Sequence, residues 1–121
     1  AGVRATGVER KGLYPSCDAS VMNVSNRGGT ARRGSVSVVD FATRRVIANW
    51  PVPGGGTPDM GGVSADGKTL WLSGRRSAEV YAFDTATGRL RAQVAVGAGP
   101  HGVCVWPQPG RYSLGHTGIL R

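Results

Sequence analysis

Apolar and polar residues alternate along this chain in short stretches with a period of two, the spacing of half-buried β-strands. The clearest stretch is 78–83, where Val80 and Ala82 take one face and Tyr81 and Phe83 the other. Just before it, Leu70 and Leu72 share a face over 69–73. Stretches 59–64 and 89–96 complete a set of four predicted strands. Between them stand Ala65-Asp66-Gly67-Lys68 and Asp84-Thr85-Ala86-Thr87-Gly88. Their Asp-Gly and Thr-Gly steps supply the left-handed backbone positions that tight hairpins need. No segment sustains a 3.6 period, so essentially no helix is expected.

This four-strand pattern recurs. Val36-Ser37-Val38-Val39-Asp40-Phe41-Ala42-Thr43 falls on Val80-Tyr81-Ala82-Phe83-Asp84-Thr85-Ala86-Thr87 at an offset of 44 residues. To the left, Val24-Ser25-Asn26-Arg27 falls on Leu72-Ser73-Gly74-Arg75 at 48, a longer loop over 28–34 absorbing the difference. To the right, Gly55-Gly56-Thr57-Pro58-Asp59 falls on Gly97-Ala98-Gly99-Pro100-His101 at 42. A repeat near 40–45 residues built of short strands is the signature of a β-propeller blade. The expected fold is all-β: one partial β-propeller over 1–121, with four-stranded antiparallel blades at about 10–56 and 57–99 and a half blade at 100–121. About two and a half blades cannot close a ring of about 4–8. A C-terminal piece of a longer propeller is therefore expected, completed by further blades in cis or by self-association through open edges.

Composition agrees with a turn-rich β-chain: 20 Gly and 7 Pro in 121 residues, 40% hydrophobic and 18% charged. Those values exclude a disordered tail, and no stretch approaches the roughly 20 apolar residues of a membrane span. No apolar h-region follows Ala1, so no signal peptide reads in this chain. The net charge of +8 comes almost wholly from arginine, with Lys11 and Lys68 the only lysines. Such a charge predicts attraction to polyanions, or simply a basic surface balanced elsewhere. Cys17 falls in a turn and Cys104 in an inner strand about two blades away. A bridge needs Cα atoms within about 7 Å, so two free thiols are expected.

Asp66-Gly67-Lys68-Thr69-Leu70-Trp71-Leu72-Ser73 and Val36-Ser37-Val38-Val39-Asp40 resemble the YVTN-type repeat of YncE-like propellers. The glycine-rich run Gly54-Gly55-Gly56-Thr57-Pro58-Asp59 and the tail Trp106-Pro107-Gln108-Pro109-Gly110 are similar to the closing blades of the actinobacterial members. The resemblance implies a seven-bladed ring and an exported, extracytoplasmic setting. Relatives include a single-stranded-DNA-binding protein, lactonase-like enzymes, surface-layer proteins and the propeller of a copper reductase.

Loops after the second and fourth strands of a blade share one face of a propeller, where several blades converge on a ligand. The blade-to-blade loops present Lys11, Asp59 and His101 at equivalent positions. The second-to-third loops present Asn26, Arg27, Arg32, Arg33, Arg75 and Arg76, with His116 and Thr117 in the last copy. One face thus gathers many arginines and both histidines. Arginine makes bidentate contacts to phosphate or carboxylate, so an anionic polymer, single-stranded DNA or an envelope glycan, is the expected partner. The competing assignment is solvated loop tips and inter-blade ion pairs. Asp59 with His101 could serve a lactonase-like hydrolase at the channel mouth. Two histidines on separate copies, without metal-ligand spacing, predict no metal site, and no other cofactor or catalytic set is expected. Trp71, Trp106, Tyr81, Phe83 and Phe41 are expected to pack between blades, leaving Trp50 as the one exposed tryptophan.

Overall fold

A computed structural model describes residues 6–107. It contains eight six-residue strands: β1 Arg10–Pro15, β2 Val21–Asn26, β3 Ser35–Asp40, β4 Val46–Pro51, β5 Pro58–Val63, β6 Thr69–Gly74, β7 Glu79–Asp84 and β8 Leu90–Ala95. They form two antiparallel meanders, β1-β2-β3-β4 and β5-β6-β7-β8. One short 3-10 turn, Gly29–Ala31, lies in the long loop of the first sheet.

The two sheets share their irregularities as well as their strands. The first ladder shifts between Arg10 and Leu13 in one blade and between Pro58 and Gly61 in the other. The third shifts at Val38/Val39 and at Ala82/Phe83. These bulges sit 48 and 44 residues apart, the offsets of the sequence repeat. Bulges strengthen the local twist of a sheet, so their repetition gives both blades the same curvature.

The tight turns repeat too. Asp18 accepts hydrogen bonds from the Ser16 hydroxyl (2.6 Å) and from the Ser20 N–H and hydroxyl (3.0 and 2.7 Å). In the second blade Asp66 accepts from the Ser64 hydroxyl (2.6 Å) and the Lys68 N–H (2.9 Å). These donors hold the Asp18 carboxyl at about 2 and pull Asp66 below the ordinary carboxylate value as well. At the left-handed position of this turn the first blade has Ala19 (φ 56) and the second Gly67 (φ 73). At the β3–β4 and β7–β8 turns the pair is Arg44 (φ 56) and Gly88 (φ 74).

The core lies between the blades. Tyr14, Val36, Val38, Trp50 and Val52 of the first pack against Val63, Leu70, Leu72, Tyr81 and Phe83 of the second. Each fully buried side chain of this size contributes roughly 1.5–3 kcal/mol. Trp50, expected at the surface, is 9% exposed and stacks on Phe83 with ring centroids 6.4 Å apart. The end of an outer strand is solvent-facing only until the next blade covers it. Conversely Trp106 is 84% exposed and Phe41 is also exposed, so neither packs between blades among the described residues.

Polar stitches cross the same seam. The Ser25 hydroxyl donates to the Asp59 carbonyl (2.6 Å) and accepts the Gly12 N–H (2.8 Å). Ser73, its equivalent, lies 2.9 Å from the His101 carbonyl and accepts the Met60 N–H at 3.3 Å. The Tyr14 hydroxyl accepts the Gly61 N–H at 2.8 Å. Segment 101–105 therefore docks on the second blade as β5 docks on the first. It forms no ladder among the described residues, where an inner strand was expected. The second strand of the half blade lies outside the described residues. Cys17 and Cys104 are both free and exposed.

Candidate functional site: an arginine-bearing loop face

The long loop between β2 and β3 meets the β4–β5 connection and the β6–β7 loop on one face. Gly34 N–H donates to the Gly56 carbonyl (2.9 Å), Gly56 N–H to the Arg32 carbonyl (2.8 Å) and Val52 N–H to the Gly34 carbonyl (3.1 Å). Thr57 Oγ1 accepts the Arg76 N–H at 2.9 Å and lies 3.0 Å from the Ser77 hydroxyl. Loops of two blades are thus tied into one backbone network.

Within this face the predicted residues part into two groups. Arg27 is 3.6 Å from both Glu9 and Asp59. Arg76 holds Glu9 at 3.2 Å and donates to the Gly29 carbonyl. Glu9–Arg27–Asp59, with Arg76 on Glu9, is an inter-blade ion network of two cations and two anions. Asp59 is fully enclosed, and neither of its oxygens accepts a hydrogen bond from the described residues. Burial of the neighbouring Tyr14 hydroxyl pushes it up to about 12, against the lowering bond from Gly61 N–H and with a smaller push from the Asp59 charge. Asn26 was expected on the loop surface but is buried. Its amide nitrogen reaches the Val24 carbonyl and the Ser35 and Ser37 hydroxyls, because the last residue of β2 still points into the blade.

The second group is open to solvent. Lys11, Arg75 and His101 are exposed, as are Arg32 and Arg33. No carboxylate among the described residues lies within ion-pair distance of Arg32, Arg33 or Arg75. Lys11 and Asp59 are each the second residue of an inner strand, whereas His101 lies in a segment with no ladder; of the three, only Asp59 is enclosed. Nothing pairs Asp59 with His101 by hydrogen bond. His116 lies outside the described residues. The counter-charge Glu9 escaped the sequence reading. It is the only acidic residue before Asp18 in a strongly basic chain, and that isolation was the available signal.

Arg32 and Arg33 border a cleft of about 790 Å³ between the blades, walled by Pro51 to Gly56 and by Ser77, Glu79 and Gln93. A second cleft of about 610 Å³ opens at the tight-turn face beside Cys17, Asp18 and Trp50. Partial burial, and after it the neighbouring Asp66 and Asp18 carboxylates, push the Cys17 thiol up. Among the described residues no group of three or more His, Cys, Asp or Glu gathers as a metal site would need. Among the described residues no helix is long and apolar enough to cross a membrane.

Two repeated, bulged, four-stranded meanders stacked face to face through a shared core define a β-propeller. The chain belongs to the YNCE-like beta-propeller family, whose sequence profile matches residues 2–111. Among solved structures it is similar to Kuenenia stuttgartiensis hydrazine synthase, with a TM-score of 0.71 and 25% identity over 88% of this chain and 29% of that one. It is similar in fold to the Cps50 (Swd1) beta-propeller domain of Myceliophteria thermophila, with a TM-score of 0.64 and 14% identity over 81% of this chain and 28% of that one. The chain thus spans less than a third of either relative. No curated protein matches it.

Proposed function

We propose that this chain is a non-catalytic binding and scaffold module of its family that engages an anionic polymer through the loop face. The observation that carries this reading is the separation of arginines by partner. Arg27 and Arg76 are neutralised in the seam, whereas Arg32, Arg33 and Arg75 stand exposed without carboxylates on a network of tied loops. Lys11 and His101 would extend the same basic surface. A single-stranded nucleic acid or an envelope glycan meets this chemistry, in the secreted or envelope setting that the resemblance implies. Further blades in cis, or a second copy, would cover the open sheet face.

The test is a salt titration of binding to an anionic polymer. Log affinity should fall linearly with log salt. Replacing Arg32, Arg33 and Arg75 with Ala together should make the slope shallower by about 2, at roughly 0.7 for each phosphate left without a cation. Binding indifferent to ionic strength removes the proposal.

A further inference from the structure

The first blade departs from the repeat at one place. Eight residues separate the paired Asn26 and Ser35, against four between Gly74 and Glu79 at the same point of the second blade. The additional length carries Arg32 and Arg33 to the cleft. Arg32 adopts a left-handed conformation (φ 52), which costs free energy in a residue with a Cβ and is held by the surrounding bonds. Its carbonyl is fastened to the Gly56 N–H. The insertion is therefore a fixed device that presents cationic groups.

The opposite wall has a different chemistry. Glu79 accepts the Tyr81 hydroxyl on one oxygen (2.8 Å) and the Gln93 amide on the other (2.8 Å). A carboxylate offers about four acceptor positions, so capacity remains on both oxygens. Among the described residues, no Trp, Tyr or Phe lines the cleft. Single-stranded nucleic-acid sites rely on aromatic platforms for their bases, and the described lining supplies none. Glu79 would also repel a phosphodiester chain. A ring that joins an anionic group to several hydroxyl donors satisfies both walls: the anion toward Arg32 and Arg33, the hydroxyls toward Glu79 and Gln93.

We infer that this inter-blade cleft is a subsite for an acidic saccharide unit, such as a uronate residue of a glycan. The inference rests on the anionic-partner reading and narrows it to one class. Binding of a short oligogalacturonate and of a single-stranded oligothymidylate to the whole chain, by calorimetry, tests it. Replacing Arg32 and Arg33 with Ala should weaken the oligogalacturonate about tenfold or more. Glu79→Gln carries the sharper distinction. If Glu79 only adds negative charge, its removal strengthens both probes. If it accepts sugar hydroxyls, its removal weakens the oligogalacturonate, by about tenfold, and does not weaken the oligothymidylate. Gln93→Ala, at an exposed strand position, should weaken the saccharide in the same direction and serves should Glu79→Gln unfold.

Strengthening of both probes by Glu79→Gln, or binding of the oligothymidylate alone, overturns the saccharide assignment and leaves the anionic face standing. Binding of neither probe, or indifference of both to loss of Arg32 and Arg33, overturns the two readings together.

Discussion

Trp50 in the first blade and Val94 in the second hold the same place in the repeat, as do Val52 and Val96. The first pair is 9% and 4% exposed, the second 50% and 40%. The strands, bulges and turns around them match, so the difference comes from the neighbour alone. Blade 2 covers Trp50 with Phe83, while among the described residues only segment 101–105 lies along the inner end of blade 2's own outward face. A blade's ladder is a local property, whereas the burial that stabilises it belongs to the stack.

The strongest way to break this comparison is to truncate the equivalent pair. Trp50→Ala should destabilise the chain by about 3–5 kcal/mol, and Val94→Ala by no more than about 0.5 kcal/mol, read from denaturant midpoints. Equal losses would mean that the outward face of blade 2 is covered in solution. Next comes the ion network at the seam. Arg27→Ala leaves the enclosed Asp59 carboxylate without its counter-charge and should cost about 3 kcal/mol. Adding Asp59→Asn should recover part of that loss. Simple additivity of the two substitutions would argue against the pairing.

The stitching serines come third. Ser25→Ala strands the Gly12 N–H and the Asp59 carbonyl at the covered seam and should cost about 1–3 kcal/mol. Ser73→Ala, beside a segment with no ladder, should cost less in the same unfolding assay. The smallest effect distinguishes the turns. Arg44 stands in the left-handed conformation that Gly88 occupies in the other blade, so Arg44→Gly should stabilise by about 0.5–1 kcal/mol. At Gly88 an added Cβ would collide with the Trp50 ring, so Gly88→Ala should do the reverse.

Acid should act on both blades alike. The turn carboxylates Asp18, Asp40, Asp66 and Asp84 are all held below the ordinary value of 3.8, chiefly by side-chain hydrogen bonds, with Asp18 at about 2. A depressed folded value contributes stability above the unfolded value and loses it as the folded one is crossed. Stability should therefore fall between 3.8 and about 2, visible as a dropping unfolding midpoint. A flat profile through that window would remove the turns' share in it.

Much of this was legible in the chain. Alternation at period two, the offsets of 48 and 44, and the Asp-containing turns are set by neighbours within one hairpin, so strands of the second blade emerge within a residue or two of their true ends. The candidate site was legible in part. Arg32, Arg33 and Arg75 lie exposed between strands, a placement that follows from spacing alone. Which arginines were already neutralised was not visible, because Glu9 reaches Arg76 across 67 positions of sequence.

The sequence by itself determined an all-β repeat, its register and its basic character, since each follows from spacing and residue type. Only the tertiary structure decided that Trp50 is buried and Trp106 exposed, and that Asp59 is enclosed while His101 is open. It also decided that Arg32 and Glu79 line one cleft. Burial and electrostatics depend on which surfaces meet, and a repeat places equivalent residues in equivalent strands without saying what stands against them.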